Sequence, residues 1–302
     1  MARIWRGWLL AAVCVCWFCI IGCSTKRTDR VAALTQTSSL PAQGVHIPFT
    51  FRDGMIHVSA KANGKPASWL VDTGSDSVNW PARFQPRDDS AQRFKSKGYV
   101  DDMWMIASNG TLQSFDIGGY KIANLRGDRV ESKMTSEFIL GNTALKDICV
   151  VFDFKRRQLI LRESNAADYP IKPGSHTASL LTTRYPVAKG GPLVVSGKLG
   201  GRPAKFVIDT GCNGFAVSKQ FADKFLKRYH RRPAVVVGIS GSRRTVAAEN
   251  VSGEIAGRQF RRVPLCIIRD VPEADAIIGT SFLKNYLVTI DYPNMKLILE
   301  NP

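Results

Sequence analysis

Apolar and polar positions along this 302-residue chain fall into short runs punctuated by Gly, Asn and Pro. Runs of this length, rich in Val, Ile and Phe, predict β-strands. Strands are expected at residues 46–51, 56–62, 150–154, 158–161, 192–197, 235–237, 288–292 and 296–299. Asn63-Gly64, Asn109-Gly110, Gly118-Gly119 and Gly200-Gly201 read as hairpin turns. Helical spacing is confined to residues 142–148, a stretch behind Ser218 with Phe221, Phe225 and Leu226 on one face, and residues 280–286. Residues 85–103 are polar and carry no clear period. The pattern predicts an all-β protein. One run breaks it: Trp8 to Ile21 is uncharged and apolar, and follows Arg3 and Arg6.

The most informative stretch occurs twice. Gly64-Lys-Pro-Ala-Ser-Trp-Leu-Val-Asp72-Thr73-Gly74 returns as Gly201-Arg-Pro-Ala-Lys-Phe-Val-Ile-Asp209-Thr210-Gly211, 137 positions later. In each copy an apolar triplet runs straight into Asp-Thr-Gly, as when a buried strand delivers a carboxylate into a tight loop. Further landmarks recur in the same order: Leu140-Gly141 with Ile278-Gly279, Asp153 with Asp291, and residues 159–161 with 297–299. Two homologous lobes related by a pseudo-twofold axis are therefore expected, at residues 44–163 and 181–302. Residues 164–180, rich in Pro, Gly and Ser, read as the linker between them.

The start of the chain reads as targeting rather than fold. Positive charge followed by a short apolar run suits residues 1–22 to a signal peptide, since a membrane span needs about 20 residues. Ile20-Ile21-Gly22-Cys23 resembles the bacterial lipobox, in which the Cys becomes the lipidated first residue. Lipidation of Cys23 and an uncleaved N-terminal anchor both place the body outside the cytoplasm. Residues 23–43 then form a flexible tether. In a Gram-negative cell Ser24 would permit sorting to the outer membrane, facing the periplasm.

Composition adds limits. The net charge is +17, yet the basic residues are scattered and no nucleic-acid-binding motif accompanies them. The excess is a solvated basic surface or an attraction to anionic lipid. Of seven cysteines only Cys149, Cys212 and Cys266 lie in the body, which makes no disulfide framework. The four histidines lack ligand spacing, so no metal is expected.

Two carboxylates, one per repeat, are the ingredients of a twin-aspartate site. Held about 3 Å apart they cannot both ionise, so they share a proton; one takes a proton from water while the other gives one to a carbonyl. Gly74 and Gly211 let the backbone turn sharply and point N–H groups at the carboxylates, and Thr73 and Thr210 are placed to hydrogen-bond across the lobe junction.

These motifs resemble the aspartic peptidase superfamily, and the stretch Asp275-Ala-Ile-Ile-Gly-Thr-Ser-Phe-Leu resembles its retropepsin-like branch. The resemblance covers residues 45–302. It implies two barrel-like lobes with a cleft between them, Asp72 and Asp209 as the catalytic pair, and Thr73 and Thr210 as an inter-lobe grip. It further implies that Ser75 hydrogen-bonds the outer carboxylate oxygen and that Asp76 binds substrate backbone. Hairpins around Gly110 and around Gly238 and Gly241 would be flaps. One chain carries both lobes, so a monomer acting on a peptide or protein is expected, without cofactor. Cys212, Asn213, Asn142 and Thr280 depart from the family pattern. Two functions follow: an aspartic endopeptidase, or an inactive peptide-binding envelope lipoprotein of the same fold.

Overall fold

Each half of the chain is built around an apolar triplet that ends in Asp-Thr-Gly. The computed structural model describes residues 13–15, 39–88, 91–97, 104–131, 137–164, 174–181, 183–184, 191–238 and 241–302. Cys23, the rest of the leader beyond residues 13–15, and the tether up to residue 38 lie outside the described residues.

The elements in chain order are β1 (Val13–Val15), β2 (Val45–Arg52), β3 (Met55–Ala62), β4 (Lys65–Val71), β5 (Val78–Pro81), β6 (Arg93–Lys97), β7 (Trp104–Ile117), β8 (Tyr120–Glu131) and β9 (Phe138–Leu140). Helix α1 (Asn142–Leu145), β10 (Cys149–Asp153), β11 (Gln158–Arg162) and β12 (His176–Ser179) close the first half. The second holds β13 (Val194–Leu199), β14 (Arg202–Ile208), β15 (Phe215–Ser218), α2 (Lys219–Phe225), β16 (Arg231–Gly238), β17 (Gly241–Ile255), β18 (Arg258–Ile268) and β19 (Ala276–Ile278). It ends with α3 (Thr280–Leu283), β20 (Leu287–Asp291) and β21 (Lys296–Glu300).

The architecture is all-β, in two sheets: one runs β12-β21-β20-β10-β11-β2-β3-β4-β9-β5-β8-β7-β6, the other β1-β16-β17-β13-β14-β19-β15-β18. The two halves meet where β10 pairs antiparallel with β20. Val151 faces Thr289, Cys149 faces Asp291 and Asp153 faces Leu287. Val151 and Thr289 hold the same place in the two repeats, so the pseudo-twofold axis passes between them. The hairpins beyond the axis repeat too. Asp153 accepts the Arg156 N–H at 2.8 Å, and Asp291 accepts the Asn294 N–H at 3.1 Å, each carboxylate satisfying a tight turn.

The apolar triplets are buried because each lies between other strands. Trp69, Leu70 and Val71 have no exposed surface, nor do Phe206 and Ile208. Strand β4 runs parallel to β9, with Val71 facing Leu140; β14 runs parallel to β19, with Ile208 facing Ile278. Burial on both faces explains the unbroken apolar spelling of these segments.

Three of the expected turns form as read. Asn63-Gly64, Gly118-Gly119 and Gly200-Gly201 connect β3 to β4, β7 to β8, and β13 to β14, with positive φ at all six positions. Asn109-Gly110 does not turn. Gly110 lies within β7, opposite Gly127 of β8. A Cβ at Gly110 would come 2.6 Å from Trp80 Cζ2, and one at Gly127 would come 2.6 Å from Cζ3. The two glycines make room for a buried indole, and that packing overrides the turn signal. The polar stretch before it contributes β6, which pairs antiparallel with β7. Within the expected linker, His176–Ser179 forms β12 along β21. Helices α1 and α3 span four residues each, shorter than the stretches predicted. Ser218 caps α2 as expected, accepting the Phe221 N–H at 3.3 Å.

Candidate active site

Strands β4 and β14 end at the same point from opposite sides. The Asp72 N–H donates to the Leu140 carbonyl at 3.1 Å, and the Asp209 N–H donates to the Ile278 carbonyl at 3.0 Å. Each strand is thereby zipped to its parallel neighbour up to the residue that leaves it. The loops that follow are locked to one another. The Thr73 N–H donates to Thr210 Oγ1 at 3.1 Å and the Thr210 N–H to Thr73 Oγ1 at 3.0 Å. Each hydroxyl in turn donates across the junction, Thr73 to the Ile208 carbonyl at 2.9 Å and Thr210 to the Val71 carbonyl at 2.7 Å. Four hydrogen bonds, all buried, thus hold the two Asp-Thr-Gly loops in register.

Gly74 and Gly211 have a different reason from the one the turn suggested. Neither has a positive φ. A Cβ at Gly74 would stand 2.4 Å from Asp209 Cγ, and one at Gly211 would stand 2.3 Å from Asp72 Cγ. Each glycine is the absence of a side chain against the opposite carboxyl. Their N–H groups do point as expected: Gly74 donates to Asp72 Oδ1 at 2.9 Å, and Gly211 to Asp209 Oδ1 at 2.8 Å. Ser75 also reaches Asp72 Oδ1, through its backbone N–H at 3.1 Å. Its hydroxyl does not approach the outer oxygen; it donates to the Ser77 carbonyl at 2.9 Å and accepts from Asn79. Asp76 follows at a half-buried position.

Both aspartates are fully buried, and among the described residues no group other than the facing carboxyl is placed to donate to either Oδ2. Burial disfavours the charged form and pushes both carboxyls above the ordinary carboxylate range. At Asp209 the charge of Asp72, and then of Cys212, adds to the rise; at Asp72 a hydrogen bond from the Asp209 carboxyl, and after it the Gly74 and Ser75 N–H groups, oppose it. Such a pair holds one proton between two facing oxygens, and can take a proton from water on one side while giving one on the other.

Of the expected flaps, the second is present as a hairpin. Strands β16 and β17 form a ladder that closes with Gly238 opposite Gly241. No hairpin turns at Gly110; at the place in the first half that matches β16 and β17, β6 pairs antiparallel with β7, and residues 98–103 between them lie outside the described residues.

Sequence reasoning missed a set of residues that tie each lobe's loop to the other lobe. Asn142 Nδ2 donates to the Thr73 carbonyl at 3.0 Å and to the Gly191 carbonyl at 3.2 Å. Asn142 Oδ1 accepts the Tyr292 hydroxyl at 2.8 Å. In the other lobe the Thr280 hydroxyl donates to the Gly54 carbonyl, and Asn213 Nδ2 to the Asp53 carbonyl at 3.2 Å. Asn142, Thr280 and Asn213 stand where the chain leaves the family pattern, which was the one available signal. Cys212, another departure, is buried with its thiol 3.5 Å from the Gly214 carbonyl. Among the described residues no group of three His, Cys, Asp or Glu side chains could hold a metal ion.

Comparison with known proteins bears on the fold. Residues 195–285 match the family model described as gag-polyprotein putative aspartyl protease. No curated protein matches the chain. The crystal structure of the aspartic proteinase from Irpex lacteus superposes with a TM-score of 0.55 at 14% identity, over 85% of this chain and 96% of that one. The chain therefore has the two-lobed, all-β fold of the aspartic proteinases, with both Asp-Thr-Gly loops at the junction of its lobes.

Proposed function

We propose that this protein is an aspartic endopeptidase in which Asp72 and Asp209 activate one water molecule between them. The observation that carries the reading is the pair itself. Two buried carboxyls face one another, each with an inner oxygen held by backbone N–H and an outer oxygen that no other residue among those described donates to. That arrangement costs stability, since a buried charge is disfavoured, and carboxyls perturbed in this way gather at functional sites. In the reaction the ionised carboxyl takes a proton from water, whose oxygen adds to the peptide carbonyl carbon. The protonated carboxyl gives its proton to the carbonyl oxygen. The tetrahedral adduct then collapses: the carboxyl that took the proton of water passes it to the amide nitrogen, which leaves as the amine, while a hydroxyl of the adduct returns a proton to the other carboxylate and restores the pair. An extended peptide would lie as an added strand under the β16–β17 and β6–β7 hairpins, with Asp76 on its backbone.

The lipobox-like Cys23 and basic body support a location in the bacterial envelope, held to the membrane by lipid, as a monomer. The competing reading is a peptide-binding lipoprotein that no longer cleaves. Incubating the full chain with a mixed peptide library from pH 4 to 8, beside Asp72→Asn and Asp209→Asn, separates the two. Cleavage by the parent that both substitutions abolish is the expected result. Peptide capture without cleavage by the folded parent would replace the enzyme with the binder.

A further inference from the structure

The two halves of the site are not equivalent, and the difference lies behind the carboxylates. Asn142 and Thr280 occupy the same place in the repeats, as do Tyr292 and Phe154. On the Asp72 side, a chain of donors runs toward the carboxylate. The Tyr292 hydroxyl donates to Asn142 Oδ1 at 2.8 Å, and Asn142 Nδ2 donates to the Thr73 carbonyl at 3.0 Å. That carbonyl belongs to the same peptide unit as the Gly74 N–H, which donates to Asp72 Oδ1 at 2.9 Å. The hydroxyl, the side-chain amide and the peptide are therefore aligned head to tail. Each link polarises the next, so the last N–H is a better donor to a negative oxygen than an isolated one. The whole chain is buried: Asn142 has no exposed surface and Tyr292 is 2% exposed.

Among the described residues nothing of this form stands behind Asp209. The Thr280 hydroxyl is directed at the Gly54 and Cys212 carbonyls. Phe154, the repeat counterpart of Tyr292, has no hydroxyl and packs edge-on against Phe49 and Phe51. Asp209 Oδ1 accepts the Gly211 N–H, whereas Asp72 Oδ1 accepts two N–H groups, from Gly74 and Ser75. Among the described residues, Asp209 and Tyr292 are the titratable groups that act on Asp72, and Asp72 and Cys212 those that act on Asp209.

We propose that Tyr292 and Asn142 are positioning residues whose relay makes Asp72 the ionised member of the pair and Asp209 the member that carries the proton. This rests on the peptidase reading for its catalytic meaning: Asp72 would be the group that accepts the proton of water, and Asp209 the donor to the carbonyl oxygen. The relay crosses the lobes, since Tyr292 follows β20 in the second half and Asn142 opens α1 in the first. Closure of the lobes and polarisation of Asp72 are thus one event.

The test removes single links. Tyr292→Phe deletes the first donor and keeps the ring; Asn142→Leu keeps the approximate shape and deletes both amide groups. Carbon-13 carboxyl NMR of the full chain would follow the pair. In an Asp209→Asn background, Tyr292→Phe should raise the titration of Asp72 by ~0.5–1 pH unit, a three- to ten-fold change in its ionisation constant. In an Asp72→Asn background the same change should leave Asp209 where it was. This arm needs no cleavage, so it can succeed even if the peptidase reading fails. Where the parent cleaves, Tyr292→Phe and Asn142→Leu should move the acid limb of kcat/KM to higher pH. Equal movement of both aspartates, movement of neither in folded protein, or a loss of kcat/KM uniform across pH would each overturn the relay.

Discussion

Thr73 and Thr210 exchange hydrogen bonds across the lobe junction, each backbone N–H donating to the other's hydroxyl at 3.1 and 3.0 Å. Each hydroxyl also donates to a carbonyl of the opposite lobe. Replacing Thr210 by Val keeps the shape and leaves the Thr73 N–H and the Val71 carbonyl buried and unpaired. A buried unpaired group costs roughly 1–3 kcal/mol, so Thr210→Val should lower stability by about 2–4 kcal/mol. Thr210→Ser should recover most of it. Urea unfolding of the full chain reads both, and a loss under about 1 kcal/mol for Thr210→Val would contradict the geometry.

The glycines opposite the carboxyls make a second prediction. Gly74→Ala and Gly211→Ala each force a methyl against the facing aspartate, which must retreat. A displacement near 1 Å at a reacting centre costs about 100-fold in rate. Cleavage by either variant should fall by at least that factor while circular dichroism stays that of the parent. Full activity in a folded Gly74→Ala protein would remove the close approach from the account.

The buried pair also sets a pH dependence of stability. Both carboxyls titrate above their unfolded values. Between those values the folded chain holds more protons than the unfolded one, so the pair's contribution falls as pH rises through that window. It is fully retained below the unfolded carboxylate value. Asp209→Asn removes the penalty, so its melting temperature should exceed the parent's at pH 8 and converge with it at pH 3. Parallel melting curves across that range would show that the pair is not strained by ionisation.

Gly110 tests the fold where turn chemistry misled. Its absent Cβ is replaced by the Trp80 indole at 2.6 Å. Gly110→Ala should cost about 1–3 kcal/mol through overpacking. Trp80→Phe should cost less in that background than alone, because the smaller ring relieves the contact. Additive costs in a double-mutant cycle would mean the two positions do not meet.

Much of the site was legible because the repeat spells it. A strand buried on both faces must be apolar throughout, so residues 69–71 and 206–208 announce themselves, and Asp-Thr-Gly at their ends is an abrupt polar break. The same self-similarity, one residue longer at this point, located Leu140-Gly141 and Ile278-Gly279, whose strands pair with β4 and β14. Asn142 was legible only as a departure, because its role depends on Tyr292, 150 residues away. The Ser75 hydroxyl departs from the expectation for a related reason: it donates to the Ser77 carbonyl and accepts from Asn79 Nδ2, partners that only the folded loop brings to it.

Sequence alone therefore determined the all-β class, the duplication, the two carboxylates and their strands, since each depends on local pattern or on self-similarity. Tertiary structure alone decided which glycine turns and which merely makes room, as Gly64 and Gly110 show. It also decided that Val151 and Thr289 mark the axis, and that the two aspartates have unlike surroundings. Those relations join residues far apart in the chain. They are set by distances and hydrogen-bond geometry that exist once the lobes have closed, and no periodicity of one segment encodes them.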